Sequence, residues 1–270
     1  MIKELFNLTG KNIAITGGAG VLGAALSKGF SEAGARVAIL DLAEDRAIKV
    51  AGSLGRMHSA ASINVLDRQS IQDALDYCVT EMGGVDILIN GAGGNHPQAT
   101  TGVDLNFFDI PKESLEFVTN LNLMGTIMPS QIFGRHMAKN KSGCILNISS
   151  MNAFRPLTRI PAYSAAKAAV SNFTQWLAVH MAQEYCGEIR VNAIAPGFFL
   201  TQQNRFMLTD EKTGELTLRG QQIIDHTPQG RFGEPEDLIG TAIWLVSDAA
   251  KFVTGIVLPV DGGFSAFSGV

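Results

Sequence analysis

Short apolar runs alternate along the chain with longer amphipathic stretches. Residues 12–16, N-I-A-I-T, have the character of a buried strand, and the glycines from Gly17 to Gly23 interrupt it before a helical pattern begins. A second strand, R-V-A-I-L, ends in Asp41. Residues 44–56 read as helix and 57–63 as a third strand. Residues 67–82 read as an amphipathic helix with Ile71, Leu75, Cys78 and Met82 turned inward. V-D-I-L-I-N, C-I-L-N-I-S, I-R-V-N-A-I-A and V-T-G-I-V-L-P-V supply further strands. A long helical segment from Lys112 to about Lys139 precedes C-I-L-N-I-S, and Pro129 should bend it or mark a local irregularity. Strands that alternate with helices predict an α/β fold, a doubly wound parallel sheet of about seven strands with helices on both faces.

Composition narrows the function classes. At 270 residues the chain is long enough for one sizeable core, and no composition break, repeat or linker divides it, so residues 1–270 read as a single domain. With 46% hydrophobic and 17% charged residues it has the make-up of a soluble globular protein. A net charge of -4 without a basic run argues against nucleic acid and against a membrane surface. The start M-I-K-E-L-F-N-L-T-G lacks the apolar region of a signal peptide, and the cytoplasm is the expected location. Cys78, Cys144 and Cys186 are far apart and lack metal-ligand spacing, which makes them reduced structural thiols.

The first strand leads into Gly18-Ala-Gly20-Val21-Leu22-Gly23, a G-x-G-x-x-G. Glycines there permit a tight turn and close approach to a pyrophosphate, for which the following helix N-terminus offers an anion site. Alone the motif is weak, but Asp41 stands eighteen residues after Gly23, where a carboxylate meets the adenosine ribose hydroxyls. Such a carboxylate repels a 2′-phosphate, and no Arg or Lys stands in the glycine loop or just after Asp41. NAD (NADH) is therefore expected over NADP.

The second constellation is Ser150, Tyr163 and Lys167, in S-S-M-N-A-F-R-P-L-T-R-I-P-A-Y-S-A-A-K. If Tyr163 opens a helix, Lys167 lies one turn on along the same face. A free phenol titrates near pH ~10 and a neighbouring ammonium favours the phenolate, which moves the tyrosine towards working pH. Ser150 ends the preceding strand and is placed to polarise an oxygen that Tyr163 protonates. Taken alone, Y-x-x-x-K is a helix-surface pair and Ser149-Ser150 a turn or cap. His96 has no partner at metal-ligand spacing, so no metal is expected; it reads as a hydrogen-bonding residue of the 94–102 loop, where ligands bind in such sheets.

These motifs, in this order and spacing, resemble the short-chain dehydrogenase/reductase family, from L-T-G-K near the start to D-G-G-F-S near the end. The resemblance implies a single-domain Rossmann fold with Asn122, Ser150, Tyr163 and Lys167 as the catalytic group. It places the cofactor against Gly17, Gly18, Gly20, Val21, Leu22, Gly23, Asp41, Asn64, Val65, Asn90, Ala92, Gly93, Tyr163, Lys167, Pro196, Gly197 and Thr201. In that family Asn122 helps connect the lysine through water to solvent; by helix propensity alone a mid-helix Asn is merely unfavourable and a candidate for the surface. The chain departs from the family pattern at Val21, with Gly20 one place early, and at Gly91, where a second Asn is usual. The pyrophosphate turn is thus expected to differ in detail.

Within the family, G-G-N-H-P-Q-A-T-T and P-G-F-F-L-T-Q-Q-N-R look like the bacterial sugar-acid members that interconvert D-mannonate and D-fructuronate. Gluconate or 2-keto-3-deoxygluconate 5-dehydrogenases are the alternative, acyl-carrier ketone reduction is more remote, and a non-catalytic nucleotide-sensing scaffold is the reading from another class. Asn95, His96, Ser150, Asn152, Gln202 and Asn204 are candidates for the substrate hydroxyls, and one of Arg155, Arg159 or Arg205 for a carboxylate clamp. Residues 202–230 read as an insertion of the kind that forms lids. Small residues along the Tyr163 helix suggest a helix–helix subunit interface, and the family usually assembles as dimers or tetramers.

Overall fold

The computed structural model describes residues 2–200, 205–210 and 213–269. In chain order it runs α1 (Ile2–Leu5), β1 (Asn12–Thr16), α2 (Val21–Glu32), β2 (Arg36–Asp41), α3 (Glu44–Leu54), β3 (Ser59–Ser62), α4 (Arg68–Met82), β4 (Ile87–Asn90), α5 (Lys112–Thr119), a π turn (Asn120–Met124) and α6 (Gly125–Asn140). Then follow β5 (Gly143–Ile148), α7 (Pro161–Glu184), β6 (Ile189–Pro196), α8 (Arg205–Leu208), α9 (Leu218–Asp225), α10 (Ile239–Val246) and β7 (Val257–Val260). The strands form one sheet in the order β3-β2-β1-β4-β5-β6-β7. Every pairing is parallel.

Burial on both faces explains the unbroken apolar runs of the strands. Successive strand residues point to opposite faces. Ile13, Ile15, Val37, Ile39, Ile87 and Ile89 join one core with Leu26, Phe30 and Leu245 of α2 and α10. Their neighbours Ala14, Ala38, Leu40 and Leu88 join the other, with Ile71, Leu75, Phe133 and Met181 of α4, α6 and α7. The third strand is shorter than the run 57–63, because Met57 is exposed and only Ala38–Asp41 offer it backbone partners.

The long segment from Lys112 is not one helix. Its irregularity falls at the π turn, where the Gly125 amide reaches back five residues to the Asn120 carbonyl. A proline ring crowds the carbonyl four residues before it, and for Pro129 that residue is Gly125, where the turn ends. Downstream of this adjustment α6 continues through Pro129 to Asn140. Among the described residues no helix is long and apolar enough to cross a membrane.

Candidate active site

The strand order reverses between β1 and β4, and the crevice beyond their carboxyl ends is where ligands bind in such sheets. Main chain closes on main chain there. Gly17 has φ +65°, and a Cβ on it would lie 2.8 Å from the Ala92 backbone; a Cβ on Gly23 would lie 2.3 Å from the Gly17 carbonyl oxygen. Gly18 is packed against Ile15 and Ile39. Gly20 is different, since a Cβ would come no nearer than 3.2 Å to its neighbours. It is the N-cap of α2 and makes no side-chain cap, so the first-turn amides of α2 have no side-chain acceptor there. Val21, the first helical residue, is exposed, and Leu22 packs on the core behind it.

Asp41 is buried at the end of β2, its carboxylate accepting from the Ala19 and Ala43 amides. One finding adds to the sequence reading: Arg46, in the first turn of α3, brings its guanidinium to 3.5 Å from Asp41. A cation does stand beside the carboxylate, five residues on, because the turn into α3 folds back over the strand end. Asn64 is exposed and its side chain accepts from the Leu66 amide, while Val65 is buried against Gly125, where a Cβ would come within 2.9 Å of it. Asn90 donates to Ser130 and Asn147, which leaves its Oδ1 buried without a hydrogen-bond partner. Pro196 ends β6, and Gly197 lies against Asp261, which a Cβ would strike at 2.6 Å.

The catalytic candidates converge. The first-turn position of Tyr163 in α7 puts Lys167 one turn on, with its Nζ 5.6 Å from the tyrosine ring centroid. Ser150 follows β5, accepts from the Asn152 amide, and is hydrogen-bonded to the Tyr163 phenol. Lys167 is buried and donates to the Ile148 carbonyl oxygen at 2.7 Å. Desolvation lowers its pKa to about 8. The phenol of Tyr163 is pushed up by burial, and the Ser150 hydrogen bond opposes that push. The expected depression of the phenol by the lysine is therefore not the dominant effect in this arrangement. The ammonium is held by a backbone carbonyl and lies over the ring, and removal of solvent outweighs it.

Asn122, assigned to the catalytic group by resemblance, is fully buried, which helix propensity alone did not suggest. It sits in the π turn, where its Nδ2 donates to the carbonyls of Val118 and Gly94 and its Oδ1 accepts from the Gly94 amide. A Cβ on Gly93 would lie 2.7 Å from the Asn122 Oδ1 and 3.3 Å from the Lys167 Nζ. The glycine thus lets the loop after β4 pass directly over both side chains, and Asn122 clamps it.

Around this group, Asn95 donates to Thr100, and His96 accepts from the Gln98 amide with its ring edge-on to Phe117. Asn152 is buried with Oδ1 lacking a partner, an acceptor free for a ligand hydroxyl. Arg155 donates to the Ser265 carbonyl oxygen and so ties the loop after β5 to the carboxyl-terminal segment. Arg205 is exposed on α8. Thr201, Gln202 and Asn204 lie outside the described residues. Arg219, in the first turn of α9, was not singled out from the sequence; its pKa is lowered first by partial burial and then by the charge of Arg159. Its only sequence signal is a cation near a helix N-terminus, where the dipole disfavours one.

Fold, crevice and Ser-Tyr-Lys geometry together define a pyridine-nucleotide-type oxidoreductase scaffold, and the chain belongs to the short-chain dehydrogenase/reductase family. A family model described as enoyl-(acyl carrier protein) reductase matches residues 17–265. The chain is 46% identical over 282 residues to UxuB of Bacillus subtilis, described as an uncharacterized oxidoreductase, with both chains covered completely. It is 35% identical to the 5-keto-D-gluconate 5-reductase of Escherichia coli K12, over 97% of this chain and 98% of the relative. Among solved structures, a Haemophilus influenzae protein provisionally described as a D-mannonate oxidoreductase, with bound NAD, superposes with TM-score 0.91 at 48% identity over the whole of both chains.

Proposed function

We propose that the protein is an NAD(H)-dependent oxidoreductase that interconverts a hydroxyl and a ketone on a sugar acid, with D-fructuronate and D-mannonate as the pair. The observation that carries the reading is the meeting of Ser150, Tyr163 and Lys167 beside a crevice whose glycines fit a dinucleotide. Gly17 and Gly23 bring the backbone close, the uncapped start of α2 suits a pyrophosphate, and Asp41 suits the ribose hydroxyls. The names of the Haemophilus influenzae structure and of the gluconate reductase support a sugar-acid substrate.

A bound nicotinamide supplies or takes up the hydride at the reacting carbon. Tyr163 gives its proton to the ketone oxygen in reduction, so that C=O becomes CH–OH, and takes it back in oxidation. Ser150 holds the same oxygen while keeping the phenol oriented. Lys167 offers a positive charge as the phenolate develops, and Asn122 fixes the loop at Gly93 and Gly94 over the lysine. The raised phenol keeps Tyr163 protonated near neutral pH, which suits the reducing direction. Asn152, Asn95 and His96 are proposed for the substrate hydroxyls.

The second reading is reduction of 5-ketogluconate, favoured by the 35% identity to a 5-keto-D-gluconate 5-reductase. A homo-oligomer is also proposed, on the outward face of α7, where exposed Trp176 stacks on Phe173 and His180. The decisive assay follows NADH absorbance with D-fructuronate, 5-ketogluconate and an NADPH control. Selective loss of NADH with fructuronate supports the first reading, and selective turnover of 5-ketogluconate moves the substrate. Silence with both, in a protein that binds NADH, favours a non-catalytic scaffold. Tyr163→Phe should cut turnover by about 100- to 10,000-fold while NADH still binds; normal turnover would refute the mechanism.

A further inference from the structure

The helices α8 and α9 form a unit of their own beside the two cores of the sheet. The Thr217 amide donates to the Leu208 carbonyl and the Thr217 hydroxyl to that of Met207, and a Cβ on Gly220 would lie 2.1 Å from the Leu208 carbonyl oxygen. Leu208 and Ile223 are buried, yet they belong to neither of the two cores. Such a unit depends for its place on whatever grips it from outside.

The grip on the far end of α9 comes from the segment after β7. Gly262 and Gly263 turn that segment at φ +63° and +89°, while Asp261 accepts from the Gly263 and Ser265 amides. The turn lies against the residues that follow α9. The Gln229 amide donates to the Gly262 carbonyl, and a Cβ on Gly262 would lie 2.9 Å from the Thr227 Cγ2. His226, the C-cap of α9, has its ring centroid 4.8 Å from that of Phe264 and 5.0 Å from that of Phe267. Phe264 also meets Phe198, just past the end of β6, at 5.2 Å. The same segment reaches the loop of Ser150 and Asn152, since Arg155 on that loop donates its Nε–H to the Ser265 carbonyl oxygen at 3.2 Å.

We propose that Gly262–Phe267 is a clasp that holds the α8–α9 unit to the loop carrying Ser150 and Asn152, with His226 and Arg155 as its two positioning residues. This rests on the reading of Ser150 and Asn152 given above. The part of His226 and Arg155 is to keep the substrate side of the cleft in shape before a substrate arrives, which lowers the ordering cost of binding and leaves the chemical step to Tyr163. Ring pairs on one side and a guanidinium-to-carbonyl bond on the other are two links in series, so the loss of either frees α9.

The test reads the clasp twice in the full chain. Hydrogen exchange at the α9 amides reports its grip without any substrate. His226→Ala removes both ring pairs and should speed that exchange by about 5- to 150-fold. Arg155→Met should speed it by about 2- to 10-fold, although the bond it removes is to Ser265 and not to α9. His226→Phe and Arg155→Lys, which keep a ring and a donor, should restore most of the protection. With links in series, the double variant should exceed the larger single effect by little. In the NADH assay, His226→Ala and Arg155→Met should each raise the KM for D-fructuronate by about 3- to 10-fold and leave kcat and NADH affinity within about twofold. Unchanged α9 exchange in the folded His226→Ala and Arg155→Met proteins overturns the clasp. Faster exchange with an unmoved KM overturns the positioning role of the two residues. Wild type that turns over no sugar acid overturns the sugar-acid reading instead, and exchange at α9 then decides the clasp by itself.

Discussion

The proposed nucleotide side of the cleft is made of main chain pressed on main chain, whereas the proposed substrate side is made of side chains delivered by segments distant in sequence. On the first side Gly17, Gly23 and the loop at Ala92 leave no room for a Cβ, and one carboxylate, Asp41, is the principal polar side chain. On the second, the residues proposed for the substrate are Asn152 after β5 and Asn95 and His96 after β4. Backbone geometry tolerates almost no change in its residues, while side chains at loop ends can be exchanged without moving the scaffold. One sheet can therefore keep its cofactor chemistry and vary its substrates.

The sharpest attempt to break this contrast uses one glycine from each side. Gly23→Ala drives a methyl into the Gly17 carbonyl, and overlap with backbone costs about 1–3 kcal/mol or more. NADH affinity should fall by about 5- to 150-fold in a titration followed by fluorescence, with a lower melting temperature. Gly102→Ala, on the substrate side, meets nothing within 4 Å and should leave both within error. Equal damage from the two would end the distinction.

A smaller effect concerns protons. Since burial raises the Tyr163 phenol, sugar-acid oxidation needs a phenolate that is scarce near neutrality, and its rate should climb by up to about tenfold per pH unit from pH ~6 to ~8. Reduction uses the protonated phenol and should hold steady until Lys167, with its pKa of about 8, loses its charge. Initial rates in both directions across one buffer series decide this, and parallel profiles would count against the acid–base assignment.

The smallest expected change refines the nucleotide side. Arg46 softens the repulsion that Asp41 presents to a 2′-phosphate, so Arg46→Ala should raise the NADH-over-NADPH ratio of kcat/KM by a few-fold, about 1 kcal/mol for an exposed ion pair. Asp41→Ala should lower that ratio. If Arg46→Ala lowered it as well, the arginine would be a ribose-site contact and not a counter-ion.

What could be read in advance follows the same division. Strands buried on both faces write themselves as apolar runs, and glycines forced by backbone contact write themselves as a spaced motif; both were legible, as were Ser150, Tyr163 and Lys167. Asn122 was placed by resemblance, because helix propensity looks only at a regular helix and the burial of this amide depends on a π turn. Arg46 escaped because contact with Asp41 is made by a fold-back and not by adjacency.

The π turn at Asn120–Met124 also acts as a setting of angle. Each residue of an α-helix advances the side chain by about 100°, so one residue of surplus in a turn rotates everything on one side of it by that amount relative to the other. Here α5 and α6 keep their own outward and inward faces, while the buried amide between them is turned to meet the loop at Gly94. Its bearing is thus set by a count of residues as much as by their kind. Shortening the segment by one would put the two helices out of phase with their faces before it altered any contact with the sheet.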